Sequence, residues 1–113
     1  MKSTKVLKML SALAQENRLA VFRLLIQEGP QGLPAGTIAD ILQMQPATLS
    51  FHLSQLSNAG LIESEKDGRS IRYAAKYKSI KKMASYLTDN SFKKRQKEVM
   101  RESVSEELDN DDD

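Results

Sequence analysis

The chain has no cysteine and a single histidine, His52. Without thiols there is no disulfide, no thiolate zinc site and no cysteine nucleophile. One histidine without cysteine is a poor start for a metal centre, which needs several ligands. Long apolar runs are missing as well. No segment approaches the roughly 20 apolar residues that span a bilayer, and Met1 to Val6 carries no secretion-type apolar run. A cytoplasmic protein with no membrane association is the expectation. Paired carboxylates, a glycine-rich phosphate loop and a metal cluster are also lacking. Ser50 and His52 stand two apart on a helix and so do not face each other. No enzyme, catalytic residue, metal ligand or cofactor is expected.

What is present is charge, unevenly placed. All 17 basic residues lie in 1–101 against eight of the 15 acids, giving that stretch about +9 by formal count. Residues 102–113 hold the other seven acids and no base. A basic body suits a polyanion. Many surface lysines can equally serve solubility alone, and charge by itself leaves both readings open. A chain of 113 residues has room for one small domain. The expected division is 1–101 as the folded domain and 102–113 as an acidic tail, too poor in apolar residues to pack and therefore disordered. That tail is either a solubilising end or a cover for the basic surface. So small a body buries a modest share of its surface, and pairing with a second copy would help.

Helical spacing of apolar residues recurs along the chain. Ser3 is placed to cap a first helix with Val6, Leu7, Leu10 and Leu13 on its apolar side. Asn17 is placed to cap a second helix carrying Leu19, Val21, Phe22, Leu25 and Ile26, which Gly29-Pro30 and Gly32 end. Pro34 suits the first turn of a short third helix with Ile38, Ala39, Ile41 and Leu42. Gln43 to Gln45 make a turn, and Pro46 opens a fourth helix with Leu49, Leu53 and Leu56 on one face. Asn58-Ala59-Gly60 is its stop signal. Leu61 to Lys66 and Ser70 to Ala75 read as two strands around an Asp67-Gly68 turn. One face of that hairpin is expected apolar, with Ile71 and Tyr73, and the other basic, with Arg72. A fifth helix follows with Ile80, Met83, Ala84 and Leu87. Phe92, Val99, Met100 and Val104 can extend it, or Asp89-Asn90-Ser91 can break it. The run Lys93-Lys94-Arg95-Gln96-Lys97 is read as a solvated face.

Helix, turn, helix and charged hairpin, in that order, make a mainly α fold with a small β-hairpin. Residues 1–101 are thus read as a winged helix-turn-helix DNA-binding domain with a two-stranded wing and a C-terminal helix. At about 100° per residue, the side of the fourth helix opposite its leucines holds Ala47, Phe51, Ser54 and Gln55. Thr48 and Ser50 lie on the flanks, Gln45 precedes the helix, and His52 sits nearer the core edge. Short hydroxyls can exchange hydrogen bonds with base edges, glutamine can pair with adenine, and Ala47 and Phe51 can touch a thymine methyl. His52 is read as a surface or DNA-contacting residue. Lys66, Arg69 and Arg72 suit phosphates beside the groove. These eleven positions form the candidate DNA-binding set. Two plainer readings stay open: a polar solvent face on a core helix, or an interaction module that anchors a protein partner through Phe51.

Three segments carry a resemblance to a known family. They are Leu10-Ser11-Ala12-Leu13-Ala14-Gln15-Glu16-Asn17-Arg18-Leu19, Thr48-Leu49-Ser50-Phe51-His52-Leu53 and Asp67-Gly68-Arg69-Ser70-Ile71-Arg72-Tyr73. Over about positions 6 to 87 the chain resembles the ArsR/SmtB family of bacterial winged-helix repressors. In that resemblance the segments are the lead into the second helix, the recognition helix and the wing. It implies a homodimer joined through the first and last helices and a double-stranded operator with inverted repeats, read by two copies of the fourth helix. It also implies repression of a neighbouring operon, relieved by a ligand. The sensor departs from the family. Where arsenic-responsive members carry cysteines, near 91 and 92, this chain has Ser91 and Phe92. Neither the third-helix cysteines nor the last-helix His/Asp clusters of other members are present. Soft-metal and thiol-redox sensing are thereby disfavoured, and the inducer is unknown.

Overall fold

Proline and glycine punctuate the middle of this chain, where Gly29, Pro34, Pro46, Gly60 and Gly68 stand at the ends or starts of elements. The computed structural model describes residues 1–89. Its order is α1 (Ser3–Leu13), α2 (Glu16–Glu28), β1 (Leu33–Pro34), α3 (Ala35–Leu42), α4 (Pro46–Asn58), β2 (Ile62–Asp67), β3 (Ser70–Ala75) and α5 (Tyr77–Leu87). The expectations for Phe92 to Val104, for the basic run 93–97 and for the tail 102–113 lie outside the described residues, as does the boundary between 101 and 102.

The helices form where their apolar periodicity places them, with corrections at the ends. In α1 the buried stripe is Val6, Met9 and Ala12, not Val6, Leu7, Leu10 and Leu13. Leu7 is 65% exposed and Leu10 is also exposed, while Leu13 is half-buried. Leu7 and Leu10 each follow a buried residue by one position, and so lie about 100° round the helix. Ser3 is the first helical residue, and Lys2 stands at the cap with no side-chain bond. Gln15, not Asn17, caps α2: its Oε1 accepts from the Arg18 N–H at 2.8 Å. Asn17 already lies within the first turn, and the N–H groups of Arg18 and Leu19 that follow it are both taken by Gln15.

Pro34 is the second correction. It does not enter α3 but pairs in β1, Leu33 opposite Tyr73 and Pro34 opposite Arg72. Proline cannot donate to a ladder, and a sheet edge tolerates it. The sheet therefore has three strands, ordered β1-β3-β2 and antiparallel, rather than the two expected. Helix α4 ends in a Schellman motif. The Gly60 N–H bonds to Ser57 O and the Leu61 N–H to Leu56 O, both at 3.0 Å, with Gly60 at φ 78°. Leu56 and Leu61, the apolar pair that accompanies such a motif, are both fully buried.

Met9, Leu25, Ile38, Leu49, Leu56 and Leu61 are the largest fully buried side chains. They come from α1, α2, α3, α4 and the start of the wing, so one core fixes α4 against the rest of the body. Of the α5 residues expected inside, Met83 is buried and Ile80 half-buried, whereas Ala84 is exposed and Leu87 is 52% exposed. The Tyr77 hydroxyl donates to Ile26 O at 2.8 Å and pins the start of α5 to the end of α2. Among the described residues no helix is long and apolar enough to cross a membrane.

Candidate nucleic-acid interface

Helix α4 opens on Pro46, whose missing N–H leaves nothing unsatisfied at a first helical position. Leu49, Leu53 and Leu56 anchor one side in the core. That rotation turns Ala47, Phe51 and Ser54 outward, with Thr48, Ser50 and Gln55 on the flanks. These six, and Gln45 before them, are all exposed. No charged residue lies within α4. Phe51 is 57% exposed, a large apolar ring on an otherwise polar face.

His52 is placed differently from the expectation. It is 6% exposed and lies on the leucine side of α4. It follows Leu49 by three residues and precedes Leu56 by four, the two spacings that share a helix face. Its ring stands edge-on to Phe51, centroids 5.7 Å apart at 62°. Nδ1 has no hydrogen-bond partner. Burial first, and the positive charge of Arg18 second, hold its pKa below the ordinary 6.5. A neutral, inward histidine cannot reach a base edge without leaving the core.

The wing divides its three basic residues. Lys66 and Arg69 are exposed. Arg72 is turned back onto the body: Nε donates to Gln31 O and Nη2 to Gly32 O, each at 3.0 Å. Nη1 stands 4.0 Å from Asp67. Arg72 thus ties β3 to the loop between α2 and β1 instead of extending to a phosphate. The turn also sits one residue later than the sequence suggests. Asp67 still pairs with Ser70, so Gly68 and Arg69 form the loop. Gly68 takes φ 63°, a positive value that suits glycine at the first position of a two-residue hairpin loop. The hairpin face expected to be basic is mixed, because Glu63 and Glu65 pair with Ala74 and Arg72 across it.

The anchors of the wing do not stand out in the sequence. Gln31 and Gly32 receive Arg72, and Gly32 is packed so closely that a Cβ there would collide with the Tyr73 carbonyl oxygen. The signal available was Gly32-Leu33-Pro34, a glycine before a short extended pair. Ile71 lies on the same side of the hairpin as Tyr73, as the alternation predicts, but past the edge of the body, where it is 48% exposed. Among the described residues no group of three histidine, cysteine, aspartate or glutamate side chains could hold a metal ion.

Comparison with known proteins places this geometry. Residues 13–65 match a helix-turn-helix domain family. An ArsR-like transcriptional regulator from Rhodococcus sp. RHA1 has the same fold, with a TM-score of 0.69 at 25% identity over 97% of this chain and 96% of that one. The transcriptional regulator HlyU from Vibrio vulnificus CMCP6 is 32% identical, with a TM-score of 0.60 over 75% of this chain and 85% of its own. The chain belongs to the ArsR family. Its members are DNA-binding transcriptional regulators, not enzymes, and the winged helix-turn-helix is their fold. HlyU of Vibrio cholerae, a transcriptional activator, is 28% identical over 75% of this chain and 76% of that protein. The cadmium resistance regulatory protein CadC of Listeria innocua is 38% identical over 64 residues, 57% of this chain. The chain spans about half the length of CadC, 52%.

Proposed function

We propose that this ArsR-family chain is a homodimeric, sequence-specific repressor that reads an inverted-repeat operator in the cytoplasm. The observation that carries the reading is the outward face of α4. It is uncharged and rich in hydroxyls and amides, it bears an exposed Phe51, and it adjoins a wing with free Lys66 and Arg69. Neutral side chains of this length suit base edges, and the wing cations suit the phosphates alongside. Gln45, Ala47, Thr48, Ser50, Phe51, Ser54 and Gln55 form the reading set. Arg72 is an organiser of the wing, and His52 supports α4 from behind.

A second copy is the natural cover for the apolar side chains left open on α1 and α5. Leu7 and Leu10 on the first, and Tyr86 and Leu87 on the second, are all exposed. Twofold pairing would set two α4 helices about 34 Å apart, one turn of B-DNA. Repression is the simplest output, since a dimer seated across a promoter excludes polymerase. The activator among its relatives makes the sign a measurement of its own. The chain has no cysteine, so an inducer acts through other chemistry, or the chain represses without one.

Selection of bound duplexes from a random pool tests the reading. An enriched palindrome at moderate salt is expected, and a reporter placed behind it should fall when the protein is supplied. No enrichment would favour the second reading, a protein-interaction module anchored by Phe51. A rise in the reporter would reverse the sign and leave the DNA reading intact.

A further inference from the structure

We propose that the wing meets DNA with only one of its two sides, the side of Lys66 and Ile71. We further propose that Ile71 lies in the minor groove against the deoxyribose walls. This rests on the DNA-binding reading above and adds to it an apolar contact residue and an orientation.

Directly opposed residues of an antiparallel pair point to the same side of a sheet, and successive residues to opposite sides. Ile62 opposite Ala75, Ser64 opposite Tyr73 and Lys66 opposite Ile71 therefore share one side. Ile62 and Ala75 are buried and Tyr73 packs against the core, so this is the body-facing side. The Lys66–Ile71 rung continues it past the edge of the body, where Lys66 is exposed and Ile71 is 48% exposed. An isoleucine at the end of a thin hairpin, beside a lysine and two residues from Arg69, has no described core to join.

The other side has the opposite electrostatic character. Glu63, Glu65 and Asp67 line it, facing Ala74, Arg72 and Ser70 across the ladder. Its one cation along the hairpin is Arg72, already engaged by Gln31 O, Gly32 O and Asp67. Lys76 and Lys78 border the open cleft on this side at the root of the wing, and Lys66 borders its rim near the tip, although the register turns the Lys66 side chain to the Ile71 side. Duplex DNA presents about one negative charge per 1.7 Å of axis. Three carboxylates against that array repel, whereas the Lys66 side carries a free cation and no acid. The wing can approach only with its Lys66–Ile71 side. An apolar side chain carried to DNA by flanking cations fits the minor groove, where such residues act as wedges. With no hydrogen-bonding group, Ile71 would sense groove shape and the obstruction made by the guanine amino group.

The test uses the full chain and the selected duplex. Each base pair flanking the half-site is made A·T, I·C or G·C in turn. Inosine keeps the A·T-like minor-groove edge, whereas guanine adds its N2 amino group there. The native chain should bind A·T and I·C flanks alike and the G·C flank several-fold more weakly at one position. Ile71→Ala should weaken binding about fivefold, abolish the G·C penalty at that position and leave the salt slope unchanged. Lys66→Ala should lower the salt slope by about one. Glu65→Gln should change affinity less than twofold. An unchanged G·C penalty in Ile71→Ala, or tighter binding by Glu65→Gln than Ile71→Ala loses, would overturn the orientation while the α4 reading stands. A native chain that does not prefer the selected duplex over random DNA would overturn both.

Discussion

At the scale of single residues, two arginines three positions apart have different tasks. Arg69 stands free at the wing loop, and Arg72 is bonded to two backbone carbonyls of the preceding loop. Arg69→Ala should weaken binding to every DNA sequence and reduce the slope of log affinity against log salt by about one. Arg72→Ala should leave that slope nearly unchanged and instead lower unfolding stability by about 1 kcal/mol, the scale of a partly exposed hydrogen-bonded charge. Titrations at several salt concentrations and thermal melts separate the two; equal slopes lost in both variants would mean that Arg72 also reaches phosphate. His52 makes a further prediction at this scale. Its folded pKa is lowered below 6.5, chiefly by burial. The unfolded chain then binds the proton more readily, so stability rises with pH across this window. The contribution of neutral His52 is complete above about pH 6.5 and is lost as pH falls towards the lowered folded value. Denaturant melts should show this loss in the native chain and a flatter profile in His52→Leu. A profile unaltered by that substitution would assign the acid sensitivity elsewhere.

At the scale of elements, α4 was the most legible part of the sequence. Pro46 marks its start, three leucines at helical spacing fix its inner side, and Gly60 ends it. Its outward set follows from those three facts. Gln55→Ala should therefore relax preference at one base position in a selection experiment and leave the salt slope intact, a different signature from Arg69→Ala. If the two variants behave alike, the division between reading helix and bracing wing is wrong. Other elements were less legible, for physical reasons. Strand β1 is two residues long, too short for periodicity, and its partner β3 lies about forty residues onward. Without β1 there was no reason to see Arg72 as an anchor or Pro34 as a strand residue. The inner stripe of α1 was misread because that helix has two apolar sides, Val6 with Met9 and Leu7 with Leu10. Spacing alone does not say which one this chain buries within itself.

At the scale of the whole molecule, the second apolar side of α1 becomes informative. Leu7 and Leu10 with Tyr86 and Leu87 leave apolar surface that the described residues of one copy do not cover. Leu7→Glu should produce monomers in analytical ultracentrifugation, retain the helical far-UV spectrum, and bind operator far more weakly. A Leu7→Glu protein that still sediments as a dimer would place the interface on other surfaces.

Geometry at this scale also offers the most direct test of two α4 helices reading successive major grooves. The full chain is titrated against inverted-repeat duplexes in which the separation of the half-sites is varied one base pair at a time, with stoichiometry measured at saturation. Affinity should peak where the half-site centres stand one helical turn apart, about 10 base pairs, with two chains per duplex, and fall steeply when half a turn is added. Equal affinity at every spacing, or saturation at one chain per duplex, would contradict a symmetric pair of reading helices.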